Sequence, residues 1–119
     1  MEQNEPSLHL SAVTVMEIES GIQQLVRKGS TRKRPELSLW LTDLLRQFED
    51  RVLPFDANVG LAAGRLDALA ISKGRHPGLA DIVIAATAEV HSLTILTQNL
   101  RHFRPLEVPA LNPFHALPR

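Results

Sequence analysis

The sequence predicts an α/β fold, one layer of parallel sheet between helices, and three observations predict it. Short apolar runs alternate with longer segments whose apolar residues recur at the helical period, and strands that alternate with helices pair in parallel under helical faces. At 119 residues, 44% of them hydrophobic, the chain is long enough for one domain with a core and too short for two well-buried ones, so residues 1–119 are expected as a single domain. No internal repeat or low-complexity segment disturbs the alternation.

Leu8 to Val13 reads as the first strand, and Thr14-x-x-Glu17 reads as a capping box that opens a helix. Val15, Ile18, Ile22, Leu25 and Val26 share one face of that helix, from which Glu17 points away, so Glu17 is not a core residue. The Gly, Ser and Pro of Arg27 to Pro35 predict a loop, followed by a helix with a stripe of Leu37, Leu41, Leu44, Leu45 and Phe48. Val52 to Phe55 reads as a brief strand. Asp56 then caps a third helix bearing Val59, Ala62, Ala63, Leu66, Leu69 and Ala70, which ends near Lys73-Gly74. After the break Gly74 to Gly78, a fourth helix is expected from about Leu79 to His91. Leu93 to Thr97 follows as a strand, and Glu107 to Leu111 as a short last one interrupted by Pro109.

Thirteen Lys and Arg balance thirteen Asp and Glu, so any polyanion site must come from local clustering. The absence of cysteine excludes disulfide and thiolate chemistry and accords with a reducing cytoplasm. No apolar run approaches the length of a membrane span, and MEQNEPS lacks the layout of a signal peptide, so a cytoplasmic protein with no membrane contact is expected. His9, His76, His91, His102 and His115 form no H-x₃-H pair, which disfavours zinc. Neither a dinucleotide fingerprint nor a phosphate-binding P-loop occurs, which disfavours nucleotide cofactors.

In open parallel sheets, ligands bind beyond the carboxyl ends of the strands, where the following helices present their N-termini. Glu17, Asp81 and Asn99 fall at that edge. Asp81 heads a helix that is apolar on two faces, so its charge needs a partner. The helix dipole supplies one explanation, and a divalent cation held by carboxylate oxygens supplies another. Glu17 is equally explained by the capping box. Glu19 ranks below it, as a solvated partner for a nearby base. Five of the nine residues from Arg27 to Pro35 are basic, most simply as a solvated loop. Lys73, Arg75 and His76 immediately precede Asp81, where cations hold a nucleic-acid backbone against a metal-carboxylate site.

On these residues the chain resembles the VapC-like branch of the PIN-domain ribonucleases, the toxin half of bacterial toxin–antitoxin pairs. Ser11-Ala-Val-Thr-Val-Met-Glu17-Ile, with Gly21, is similar to the family's strand and helix carrying its second acid. Arg51-Val-Leu-Pro-Phe-Asp56 resembles the middle strand, Asp81-Ile-Val-Ile-Ala-Ala the helix of the third acid, and Leu93-Thr-Ile-Leu-Thr-Gln-Asn99 with Phe103 the strand and loop of the fourth. Asn112-Pro-Phe matches a common ending, and the resemblance runs from about Leu8 onward.

The resemblance implies a three-layer α/β/α PIN-like fold and an endoribonuclease dependent on Mg²⁺ or Mn²⁺, in which a metal-activated water hydrolyses the phosphodiester. At the matching positions Asp81 is implied as a metal ligand, Glu17 as a second ligand or water-orienting group, and Thr97 and Asn99 as supporting polar groups. RNA is the implied substrate, and a cognate antitoxin and a second copy of the chain, as a homodimer, are the implied partners. Two departures qualify the activity. The family opens with an apolar strand, central in its sheet, ending in Asp-Thr, where this chain has MEQNEPS, so an N-terminally truncated member without the first acid is expected. Asn99 and His102 stand where the family's fourth-acid loop supplies an Asp. Glu17 and Asp81 thus carry the acidic pocket, which implies weakened or lost hydrolysis. The alternative is a catalytically inert protein of the same fold that binds an antitoxin or pairs with itself.

Overall fold

Residues 8–29, 34–97 and 99–112 are described by the structure, a computed structural model. Of the expected basic loop Arg27 to Pro35, residues 30–33 lie outside them, while Arg27 closes the first helix and Arg34 and Pro35 open the second; of the expected Asn112-Pro-Phe ending, residues 113 and 114 also lie outside. The chain divides into two compact units, Met1–Leu53 and Pro54–Arg119.

In the first unit, strand β1 (Leu10–Ser11) runs into helix α1 (Ala12–Arg27), which packs on α2 (Arg34–Phe48). A 3₁₀ turn (Glu49–Arg51) then leads to β2 (Val52–Leu53), parallel to β1 with Leu10 opposite Val52. Helix α1 begins earlier than the expected capping box. Ser11, in extended conformation, is the N-cap, and its hydroxyl accepts from the Val13 N–H at 3.2 Å. A serine at the strand's end already satisfies one of the helix's unpaired N–H groups, so Thr14 and Glu17 lie inside the helix. Arg51 ties the unit together by donating to the carbonyls of Leu8 (3.0 Å) and Gln47 (2.8 Å).

The second unit holds α3 (Ala57–Ser72), α4 (Leu79–Val90), β3 (Ile95–Leu96), α5 (Leu100–Phe103), a 3₁₀ turn (Arg104–Leu106) and β4 (Ala110–Leu111). Asp56 caps α3 as expected, its Oδ1 accepting from Val59 N–H at 3.0 Å. Helices α3 and α4 pack together, and buried Ala62, Ala63 and Ala70 on one and Ala85, Ala86 and Ala88 on the other let the backbones approach. Val59, Leu66, Ile82, Val83, Ile95, Phe103 and Leu106 are also buried. Buried Thr87 is satisfied by donating to the Val83 carbonyl at 2.7 Å.

The parallel sense of the strands holds, since β3 runs parallel to β4 with Ile95 opposite Ala110. The described strands make two two-stranded pairs, one within each unit, and each of these strands is two residues long. The last strand starts beyond Pro109, whose missing N–H cannot join a ladder but whose carbonyl accepts from Ile95 N–H at 2.9 Å. What the fold does for function is bring the start of α4 and the segment after β3 together in the second unit.

Candidate functional site

The path to the site starts at the end of α3. Gly74 adopts a left-handed φ of 73°, and the Gly74 and Arg75 N–H groups return to the Ile71 and Ala70 carbonyls, each at 2.9 Å. These are the two bonds of a Schellman motif, which glycine closes at little steric cost. The chain leaves this turn at Arg75, passes His76 and Pro77, and starts α4 with Gly78 as an N-cap that has no side chain to offer.

Asp81 sits in the first turn of α4, where a negative charge is favoured by the helix's exposed N–H groups. Its Oδ2 lies 3.3 Å from His102 Nδ1, with side-chain exposures of 29% and 45%. His102 arrives from α5, which buried Phe103 anchors. Both residues line an open cavity of about 270 Å³, together with Arg75, His76, Gly78 and Arg101. Among the described residues, the Arg75 and Arg101 side chains have no hydrogen-bond or ion-pair partner. One carboxylate thus faces two guanidiniums and two imidazoles.

The other expected residues fall elsewhere. Glu17 is exposed on α1 in the first unit and has no partner among the described residues, so the capping role that offered a structural explanation is gone. Asn99 precedes α5 without capping it through its side chain, and it is not among the residues lining the cavity. Its N–H donates to Thr97 Oγ1 at 3.0 Å, so the Thr97 hydroxyl shapes the loop. Lys73 donates from Nζ to Glu107 Oε2 at 2.6 Å and to the Pro105 carbonyl at 2.9 Å, and the cavity is lined by Arg75 and His76 without it.

Arg101 is the cavity residue that sequence reasoning missed. Its signal was available, because it follows β3 at the carboxyl edge where such folds bind ligands. His102 was marked only as a departure from an acidic position. A histidine two positions into a short helix gives no spacing signal of its own; its contact with Asp81 depends on how α5 docks on α4.

As they stand, these residues do not fit a hard divalent ion. Among the described residues, no three His, Cys, Asp or Glu side chains gather as a metal would need. Mg²⁺ prefers several oxygen ligands, and the lone cavity carboxylate already faces an imidazole.

A family model for the PIN domain matches residues 1–106. The chain is 35% identical over 111 residues to toxin FitB of Neisseria gonorrhoeae, a match spanning 91% of this chain and 76% of that protein. It is 32% identical over 111 residues to VapC ribonuclease Y4jK of Sinorhizobium fredii, with the same two coverages. Among solved structures, FitAcB from Neisseria gonorrhoeae superposes with a TM-score of 0.71 at 35% identity, covering 90% of this chain and 76% of that one.

Proposed function

The chain belongs to the PIN-domain family, in its FitB and VapC toxin branch, and from that premise we propose that it is the RNA-directed toxin member of a toxin–antitoxin pair. Members of this branch are generally ribonucleases dependent on a divalent metal. The finer reading is hydrolysis of RNA phosphodiesters with Mg²⁺ or Mn²⁺, drawing on Asp81 and much weakened by its surroundings.

The observation that carries this is the placement of Asp81, at the mouth of a helix, in an open cavity rimmed by arginines suited to an RNA backbone. The weakening follows from the same cavity. Asp81 has to give up His102 before its charge can serve a cation, and the loop after β3 offers an imidazole where the resemblance calls for a carboxylate.

An antitoxin is the partner this reading requires, and the likeness to FitB and to FitAcB supports it. In the first unit, Leu39 and Trp40 of α2 are 67% and 50% exposed, an apolar pair suited to a partner peptide or to a second copy in a homodimer. Among the described residues no helix is long and apolar enough to cross a membrane. The proposed setting is the cytoplasm.

The test is cleavage of single-stranded RNA in Mn²⁺, comparing the protein with Asp81→Ala. Slow cleavage that falls at least tenfold in the variant is the expected result. Cleavage that is absent, or indifferent to Asp81→Ala, selects the second reading, an inert binding protein of the same fold, which the Asp81–His102 contact favours.

A further inference from the structure

The cavity beside α4 has the wrong charge for a cation and the right one for an anion. Arg75 and Arg101 contribute two permanent positive charges, because guanidinium does not deprotonate in proteins. Against them stands Asp81 alone, and its Oδ2 is met at 3.3 Å by His102. Neither arginine is held by a carboxylate or carbonyl among the described residues. That is unlike the neighbouring Arg65, which pairs with Glu89 at 2.6 Å, and Lys73, which pairs with Glu107 at the same distance.

Two unpaired guanidiniums on one cavity, which two imidazoles also line, form a donor array matched to phosphate oxygens. Gly78 adds to this as a cap without a side chain, leaving room at the start of α4. We propose that this cavity is a metal-free phosphate site, in which Arg75 and Arg101 grip a phosphate group while the His102 imidazole faces Asp81 and withholds it from a cation. The proposal deepens the RNA-directed reading and rests on it for the RNA backbone as the source of that phosphate. The same chemistry accepts a free phosphate.

In this arrangement two guanidiniums outweigh the single charge of Asp81, and the grip needs no bridging ion. His102 adds no negative charge to this wall of the cavity, where an aspartate would add one. Replacing it with aspartate would place two carboxylates on a cavity of this size and reverse the preference.

The binding test uses fluorescence anisotropy of a labelled single-stranded RNA carrying 2′-O-methyl sugars, which cannot be cleaved through its 2′ oxygens, with the full chain in EDTA and then in Mg²⁺. Equal binding in both is expected. Arg101→Ala and Arg75→Ala should each weaken it by about threefold to tenfold and lower the salt slope by roughly 0.7, the value for one phosphate contact on a single strand. Arg65→Ala should leave it unchanged. Inorganic phosphate separates the sources: competition only at concentrations far above the RNA supports the backbone, whereas phosphate binding lost in Arg101→Ala without RNA binding supports the free ion. RNA binding that requires Mg²⁺, or ligand binding that neither arginine variant weakens, overturns the proposal.

A second measurement is independent of RNA. Mn²⁺ uptake followed by electron paramagnetic resonance should be at least tenfold tighter in His102→Asp than in the unsubstituted protein, with circular dichroism confirming that the variant is folded. Uptake no tighter in folded His102→Asp overturns the reading that the residue at this position keeps cations out. Should RNA cleavage fail while metal-free RNA binding persists, the phosphate site stands and the hydrolytic reading falls.

Discussion

Two side-chain contacts link helices of the second unit to the segment that follows β3, and they differ in every respect that matters for function. Lys73, at the end of α3, meets Glu107 at 2.6 Å and also donates to the Pro105 carbonyl at 2.9 Å. His102 meets Asp81 at 3.3 Å, faces an open cavity, and has two unpaired arginines for neighbours. The first pair has its donors spent on protein acceptors and works as a staple. The second leaves donors unspent around it, and unspent donors are what a ligand uses. A charge found near a site in sequence is therefore informative only once its existing partners are known.

Both pairs depend on one anchored segment, so the largest effect comes from loosening the anchor. Leu106 is 1% exposed, and its neighbour Phe103 is buried beside it in the chain. Leu106→Ala should cost about 2–5 kcal/mol, the range for emptying a buried leucine site. Urea denaturation monitored by circular dichroism measures it. A loss below about 1 kcal/mol would show that the segment carrying Arg101 and His102 is held by something other than its apolar side chains.

The next effect separates the two pairs by function. Arg75→Ala should weaken RNA binding by about threefold to tenfold, as expected for one lost phosphate contact. Lys73→Ala, two residues away, should leave RNA binding within about twofold, because its ammonium is already engaged by Glu107 and Pro105. Anisotropy with the same 2′-O-methyl RNA, in EDTA, reads both. Equal losses would mean that the Lys73–Glu107 contact opens in solution and that the cluster Lys73, Arg75 and His76 acts as one patch.

Much of this was legible before any coordinates. The alternation of apolar runs gave the helices, Asp56 announced the start of α3, and Lys73-Gly74 announced its end, because caps and glycine turns are local chemistry. Asp81 stood out because a carboxylate heading a helix apolar on two faces needs a partner. That its partner is His102 was not legible, since the two are 21 positions apart and meet only through the packing of α5 near α4. The start of α1 was misread for a related reason: Ser11 and Thr14 are both competent caps, and the length of β1, which the sequence leaves open, decides between them.

The smallest expected effect makes the comparison quantitative. A double-mutant cycle on Lys73→Ala and Glu107→Ala should give a coupling of about 0.2–1 kcal/mol, because the pair is partly exposed and solvent screens it. The cycle on Asp81→Asn and His102→Ala should give less. The contact is longer, imidazole carries charge only when protonated, and the adjacent guanidiniums already offset Asp81, so removing His102 leaves the carboxylate with other positive neighbours. Chemical denaturation of each single and double variant supplies the numbers. A coupling above about 1 kcal/mol for Asp81 and His102 would place that pair with the staples. Asp81 would then be held by His102 and closed to a cation, while the phosphate grip of Arg75 and Arg101 would stand.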